Sequence, residues 1–165
     1  MTSDSEQWRL WFDRHSSGLL LLARQWVFDG SAAEDIVQEA FIRFWRSRHS
    51  AHDPAAYLYA CVKHGALDWL RGRHRRAQRE NEAARPEAES YFLGPAEQAE
   101  RQVVISAALR ELPEEQREVV VMKVWGGLSF PQIAEALGIS PNTAASRYRY
   151  ALGRLREHLA EEPIT

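Results

Sequence analysis

The densest hydrogen-bonding chemistry lies just after residue 140. Asn142, Thr143, Ser146 and Tyr150 recur on one side of a helical wheel, flanked by Arg147 and Arg149. Short polar groups near a helix N-terminus, bordered by arginines, suit a major groove: amides and hydroxyls meet base edges, and guanidinium forks reach guanine or phosphate. Gly153 and Glu157 continue that side and are poor DNA contacts, so contact fades after about Tyr150. An ordinary helical hairpin with a solvated arginine face would share part of this pattern. The preceding residues favour DNA. Ser129-Phe-Pro-Gln132 is a capping box opening a short helix to Leu137. Gly138-Ile139-Ser140 is a tight turn, and Ser140-Pro141 starts a longer helix to about Leu159. Short helix, three-residue turn and capped longer helix form the helix-turn-helix plan. Ile133, Ala134, Leu137 and Ile139 face inward from its first part, and Ala144, Tyr148, Ala151, Leu152 and Leu155 from its second.

A second group begins near residue 57. Tyr57, His64 and Arg71 repeat at seven-residue spacing, with Lys63 beside them, and lead into Arg73, Arg75, Arg76 and Arg79. Aromatic rings stack on bases and arginines track phosphates, so this face suits single-stranded or melted DNA. On these residues alone a solvated basic face with a local His64–Asp68 pair fits equally well. Cys61 and His64 are three apart, as metal ligands can be, but Cys61 falls on the apolar side and two ligands make no zinc site. A buried structural cysteine is the expectation. No glycine-rich phosphate loop, nucleophile elbow or convergent catalytic group occurs. Neither catalysis, nor a metal, nor a cofactor is expected.

A third group is a stripe. Asp35, Gln38, Glu39, Ile42 and Arg46 share the outward side of one helix, opposite Ile36, Val37, Ala40, Phe41, Phe44 and Trp45. An isoleucine inside a polar stripe hints at a protein interface, although single exposed apolar residues are common.

These groups must be positioned by helices, because strand signals are nearly absent. Ser31-Ala-Ala-Glu34 reads as a capping box opening the stripe helix, which runs to about Ser47. Asp53-Pro54 reads as a cap followed by proline at the first helical position, for a helix to about Arg71. Further helices are expected from about Ala96 to Glu111 and from Glu114 to Trp125. Residues 77–94 are rich in Glu, Ala and Gln and read as a flexible acidic linker, with a surface helix at 77–85 as the alternative. The expectation is an all-α chain of two small helical domains, 1–76 and 95–165, the second ending in the helix-turn-helix.

Composition fits a soluble protein: 165 residues, 45% hydrophobic, 27% charged. No apolar run approaches the roughly 20 residues that span a membrane. The single cysteine excludes an internal disulfide and a multi-cysteine zinc site. No membrane insertion and a cytoplasmic location are expected. The net charge of −2 hides a pattern. Residues 63–79 carry six bases against Asp68, residues 80–100 six glutamates against Arg85, and residues 119–159 five bases against Glu135 and Glu157.

Three stretches together resemble a known family. Ala33-Glu-Asp-Ile-Val-Gln-Glu-Ala-Phe-Ile-Arg-Phe-Trp45 is similar to the polymerase-binding helix of bacterial RNA polymerase sigma factors of the extracytoplasmic-function (ECF) type. Asp53-Pro-Ala-Ala-Tyr-Leu-Tyr59, with Ala66-Leu-Asp-Trp-Leu-Arg71 and the arginine run, resembles the promoter-melting part of the same region 2. Leu109-Arg-Glu-Leu-Pro-Glu-Glu-Gln-Arg-Glu-Val-Val-Val121 and the stretch from Leu128 to Leu159 resemble region 4. The resemblance implies a non-enzymatic initiation factor. Region 2 would bind the clamp helices of core RNA polymerase through Asp35, Gln38, Glu39, Ile42 and Arg46. It would melt the promoter −10 element with Tyr57, Lys63, His64, Arg71, Arg73, Arg75 and Arg76. Region 4 would bind the polymerase flap and read the −35 element with Asn142, Thr143, Ser146, Arg147 and Arg149. Any inhibitor would be a separate anti-sigma factor, since no extra inhibitory segment is recognisable. Departures limit the transfer. His64 stands where the family usually has asparagine, Ala145 replaces a usual basic residue, and Tyr148 and Tyr150 replace a usual leucine and arginine. A stand-alone helix-turn-helix regulator is the alternative; it would need a dimer surface and leaves the stripe unexplained.

Overall fold

The structure is a computed structural model that describes residues 2–79 and 104–161. The described residues form seven helices and no strand. They are α1 (Asp4–Ala23), α2 (Gly30–Ser47), α3 (Pro54–Arg79), α4 (104–110), α5 (Glu114–Val124), α6 (Phe130–Leu137) and α7 (Pro141–Glu161). No helix among them is long and apolar enough to cross a membrane.

Local chemistry sets most boundaries. Ser3 and Glu6 close a capping box at α1, and Ser129 and Gln132 close the expected one at α6. At α3 the Asp53 carboxylate accepts the Ala56 N–H at 3.1 Å, and Pro54 needs no donor in the first turn. Gly138 ends α6 at φ 69°, in the left-handed region where a Cβ is costly. Ser140 then accepts the Thr143 N–H at 3.1 Å and opens α7.

Two expected boundaries need correction. The cap of α2 is Asp29, whose side chain accepts the Ala32 N–H at 3.1 Å; Ser31 lies inside the first turn and forms no capping box with Glu34. Asp29 is an equally good cap and stands two residues earlier. Helix α3 does not end before Gly72 but runs to Arg79. One glycine costs a helix only about 1 kcal/mol, and the flanking arginines are good helix formers. Residues 77–79 of the expected linker are therefore helical. The rest of it, and the start expected near Ala96, lie outside the described residues.

The inward faces are largely as the periodicity requires. Val37, Ala40, Phe41 and Phe44 of α2 are buried, with Ile36 and Trp45 partly buried. Trp8 and Trp11 of α1 pack edge-on or tilted against Phe41, Phe44 and Trp45 at 4.9–5.2 Å between ring centres. On α3, Leu58, Cys61, Val62 and Ala66 are buried. Ile133, Ala134, Ala144 and Ala151 form the inner side of the helix-turn-helix.

The buried cluster does not stop between the two halves. Helices α1 and α3 pack on α5 and α6, and one core runs from Leu19 and Phe44 through Tyr59 to Met122 and Ile133. Tyr59 is the pivot. Its side chain is fully buried, and its hydroxyl lies 3.1 Å from His15 Nδ1. A Cβ on Gly18 would stand 3.1 Å from that hydroxyl, and one on Gly126 would stand 2.8 Å from it. Two glycines, one on α1 and one in the α5–α6 turn, thus leave room for the ring tip.

Candidate functional site

The stripe on α2 is a continuous exposed surface. Asp35, Gln38, Glu39, Ile42 and Arg46 are all exposed, and Ile42 shows 48% of its surface. Full burial of such a side chain is worth roughly 1.5–3 kcal/mol, and a docked partner could recover about half of that at the half-exposed Ile42.

The α3 face is divided. His64, Arg71, Arg73, Arg75 and Arg76 are exposed. Asp68 pairs with Arg71 at 3.2 Å, and Arg73 lies 5.4 Å from the Trp69 ring centre. Arg75 and Arg76 donate at 3.4 Å to the carbonyls of Arg71 and Gly72. These are weak surface links that leave the charge available. Tyr57 is half-buried beside Cys61, whose thiol is pushed up by burial against a smaller opposing pull from Tyr57. Cys61 is buried and His64 exposed, so the two do not converge. No group of three or more His, Cys, Asp or Glu among the described residues could hold a metal.

Lys63 differs from its neighbours. Its ammonium is 2.9 Å from Glu118 Oε2 of α5, with side-chain exposures of 19% and 5%. The contact is a close ion pair, largely shielded from water. Burial raises the Glu118 carboxyl above its usual range, and Lys63 only partly offsets this. Sequence patterning missed Glu118. Its one trace is an acid directly before the apolar run Val119–Met122.

On α7, Asn142 and Arg149 are exposed, while Thr143, Ser146 and Arg147 are half-buried. The Thr143 hydroxyl is 2.8 Å from the Ser140 hydroxyl, Arg149 lies 3.5 Å from Ser146, and Arg147 lies 3.7 Å from Glu115. All five occupy the first three turns of α7, whose inner side is held by Ala144, Ala151 and the Phe130–Tyr148 contact.

A capped helix-turn-helix behind a three-helix unit, itself bearing a polar stripe and an arginine-lined helix, defines a transcription factor of the sigma-70 class. Residues 11–76 match the Sigma-70 region 2 family, and residues 102–155 match the Sigma-70, region 4 family. The chain is 31% identical over 163 residues to the ECF RNA polymerase sigma factor SigL of Mycobacterium tuberculosis, covering 95% of this chain and 91% of that one. It is 32% identical over 149 residues to the RNA polymerase sigma-E factor of Streptomyces coelicolor, covering 88% and 82%. Its fold is similar to that of RpoE from Bartonella quintana, solved with the anti-sigma factor NepR (TM-score 0.66, 21% identity, 95% and 99% covered). It is also similar to that of CnrH, solved with the cytosolic domain of CnrY (TM-score 0.65, 22% identity, 94% and 89% covered). The chain belongs to the ECF sigma factors.

Proposed function

We propose that this sigma factor docks on core RNA polymerase through α2, melts the −10 element with α3 and reads the −35 element with the N-terminal turns of α7. It acts in the cytoplasm without catalysis of its own, and any inhibitor is a separate anti-sigma factor, as NepR is a separate chain in the complex with the structurally similar RpoE. The observation that carries the reading is the α2 stripe, whose five residues, Ile42 among them, are all exposed. Gel filtration with sigma-free core polymerase tests it. The unaltered chain should co-elute, and a variant with Asp35, Gln38 and Glu39 all changed to alanine should not. Failure of the unaltered, folded chain to co-elute would turn the reading to a stand-alone regulator.

Arg149 is the arginine of the recognition group that is most open to a base edge. In promoter complexes with polymerase, Arg149→Ala is expected to cost about 1–3 kcal/mol and to relax preference at one base pair of the −35 element. A uniform loss across sequences would make it a phosphate contact instead.

A further inference from the structure

A cleft of about 260 Å³ lies between α1, the start of α3 and the α5–α6 turn. Much of its wall is apolar: Leu10 and Trp11 come from α1, Ala55 from α3 and Leu128 from the turn. Gly126 and Gly127 border it as well, and neither position can carry a side chain to fill the space without strain. Gly127 sits at φ 65°, in the left-handed region that favours glycine, and Gly126 is pressed against Tyr59. One charged side chain, Arg14, stands on the wall. It is exposed and makes no hydrogen bond or ion pair among the described residues. A terminal nitrogen of its guanidinium lies 3.1 Å from where a Cβ on Gly127 would stand, which places the charge beside the turn. The other polar groups of the wall are engaged. His15 is neutral near pH 7, because burial, with Arg14 second, lowers its pKa to about 4, and its Nδ1 lies 3.1 Å from the Tyr59 hydroxyl. The Gln132 amide donates to Asp53 at 3.3 Å and accepts the Ser129 N–H at 2.9 Å. Helices α3 and α6 both begin at the cleft, with Ala55 and Gln132 in their first turns, so their positive dipole ends add to the field of Arg14.

One unmatched arginine beside an apolar cleft favours a molecule divided in the same way. A carboxylate takes the forked donors of the guanidinium, and an apolar tail displaces water from the walls. Size follows from volume. An apolar cavity of about 150 Å³ holds benzene, so this cleft suits roughly ten non-hydrogen atoms. We propose that the cleft binds a small amphipathic monocarboxylate, with Arg14 on the carboxylate and Leu10, Trp11 and Leu128 along the tail. A nucleotide fits poorly, because its several charges would meet a single cation and an apolar wall. The site is separate from the surfaces proposed for polymerase and promoter: no residue of the α2 stripe, the α3 basic group or the α7 recognition group lines it. Binding is therefore measurable on the full chain alone, and its failure leaves the polymerase and promoter reading untouched.

Octanoate is of the required size, and octanamide is its uncharged match. Each would be titrated into the full chain and followed by proton–nitrogen correlation NMR. Octanoate is expected to bind saturably with a Kd on the order of 1 mM, moving the signals of the Trp11 indole and of the Gly127 and Leu128 amides first. Octanamide should bind about tenfold more weakly. Arg14→Gln should weaken octanoate by about the same factor and leave octanamide unchanged. Leu10→Gln, at a position 64% exposed and so outside the core, should weaken both. Absence of saturable octanoate binding overturns the site, and so do signal changes confined to other surfaces of the chain. Equal binding of octanoate and octanamide, or an octanoate affinity unaltered in Arg14→Gln, overturns the carboxylate as the group recognised.

Discussion

Gly126→Ala is expected to lower stability by about 3 kcal/mol and the melting temperature by roughly 6–12 °C. A Cβ there would stand 2.5 Å from the Met122 carbonyl oxygen and 2.8–2.9 Å from the tip of the Tyr59 ring. Neither neighbour can yield. The Met122 carbonyl already accepts the Leu128 N–H at 3.1 Å, which shapes the α5–α6 turn, and Tyr59 is fully buried. The methyl group would have to move the turn and loosen the seam between regions 2 and 4. Gly153→Ala is the control. Its Cβ meets nothing within 4 Å, and it lies inside α7, so there the change should add up to about 1 kcal/mol. Circular dichroism melts of the two variants should move in opposite directions; equal shifts would contradict the wedge at Tyr59.

Acidification should destabilise the fold through His15. Burial, with a smaller contribution from Arg14, lowers its pKa from 6.5 to about 4. The folded protein therefore binds this proton less readily than the unfolded chain. The neutral ring's stabilisation is fully present above pH 6.5 and is lost as pH falls from 6.5 toward 4. The full shift corresponds to at most about 3 kcal/mol. Glu118 acts with the opposite sign, because its carboxyl is raised and its buried charge is relieved on protonation. A variant that keeps Glu118 separates the two. In urea unfolding at pH 7.5 and pH 5, the unaltered protein should lose more stability on acidification than His15→Gln. Identical losses would show that His15 takes up its proton without unfolding.

The helix-turn-helix and the stripe are legible because each depends on local signals, whereas the expected end at Arg71 leaves Arg73, Arg75 and Arg76 outside the helix that carries them. Ser129, Gln132, Gly138 and Ser140 set the helix-turn-helix through bonds within four residues. The α2 face follows from helical periodicity alone. Two signals misled. Asp29 outcompetes Ser31 as a cap because the chain turns into α2 before the serine. Gly72 does not stop α3 because nothing there requires a left-handed residue, in contrast to Gly138. The seam was illegible for a different reason. Tyr59 is far in sequence from Gly126, as Lys63 is from Glu118, and each looks ordinary in its own helix or turn. Their pairing exists only once the two halves pack. From sequence Lys63 looks like an open basic residue, because Glu118, its partner, lies 55 positions away. The α3 face is thus partly covered: Lys63 is paired with Glu118, while His64, Arg71, Arg73, Arg75 and Arg76 stay exposed.

Promoter selection by the protein is directly measurable. Sigma-free core polymerase would transcribe sheared genomic DNA from the source bacterium with and without the protein, and the 5′ ends of the RNA would be sequenced. The account predicts a set of starts that depends on the protein, each preceded by one shared element near −10 and another near −35, and lost in the Asp35, Gln38 and Glu39 alanine variant. Starts that are unchanged by the protein, or that share no upstream element, would contradict it.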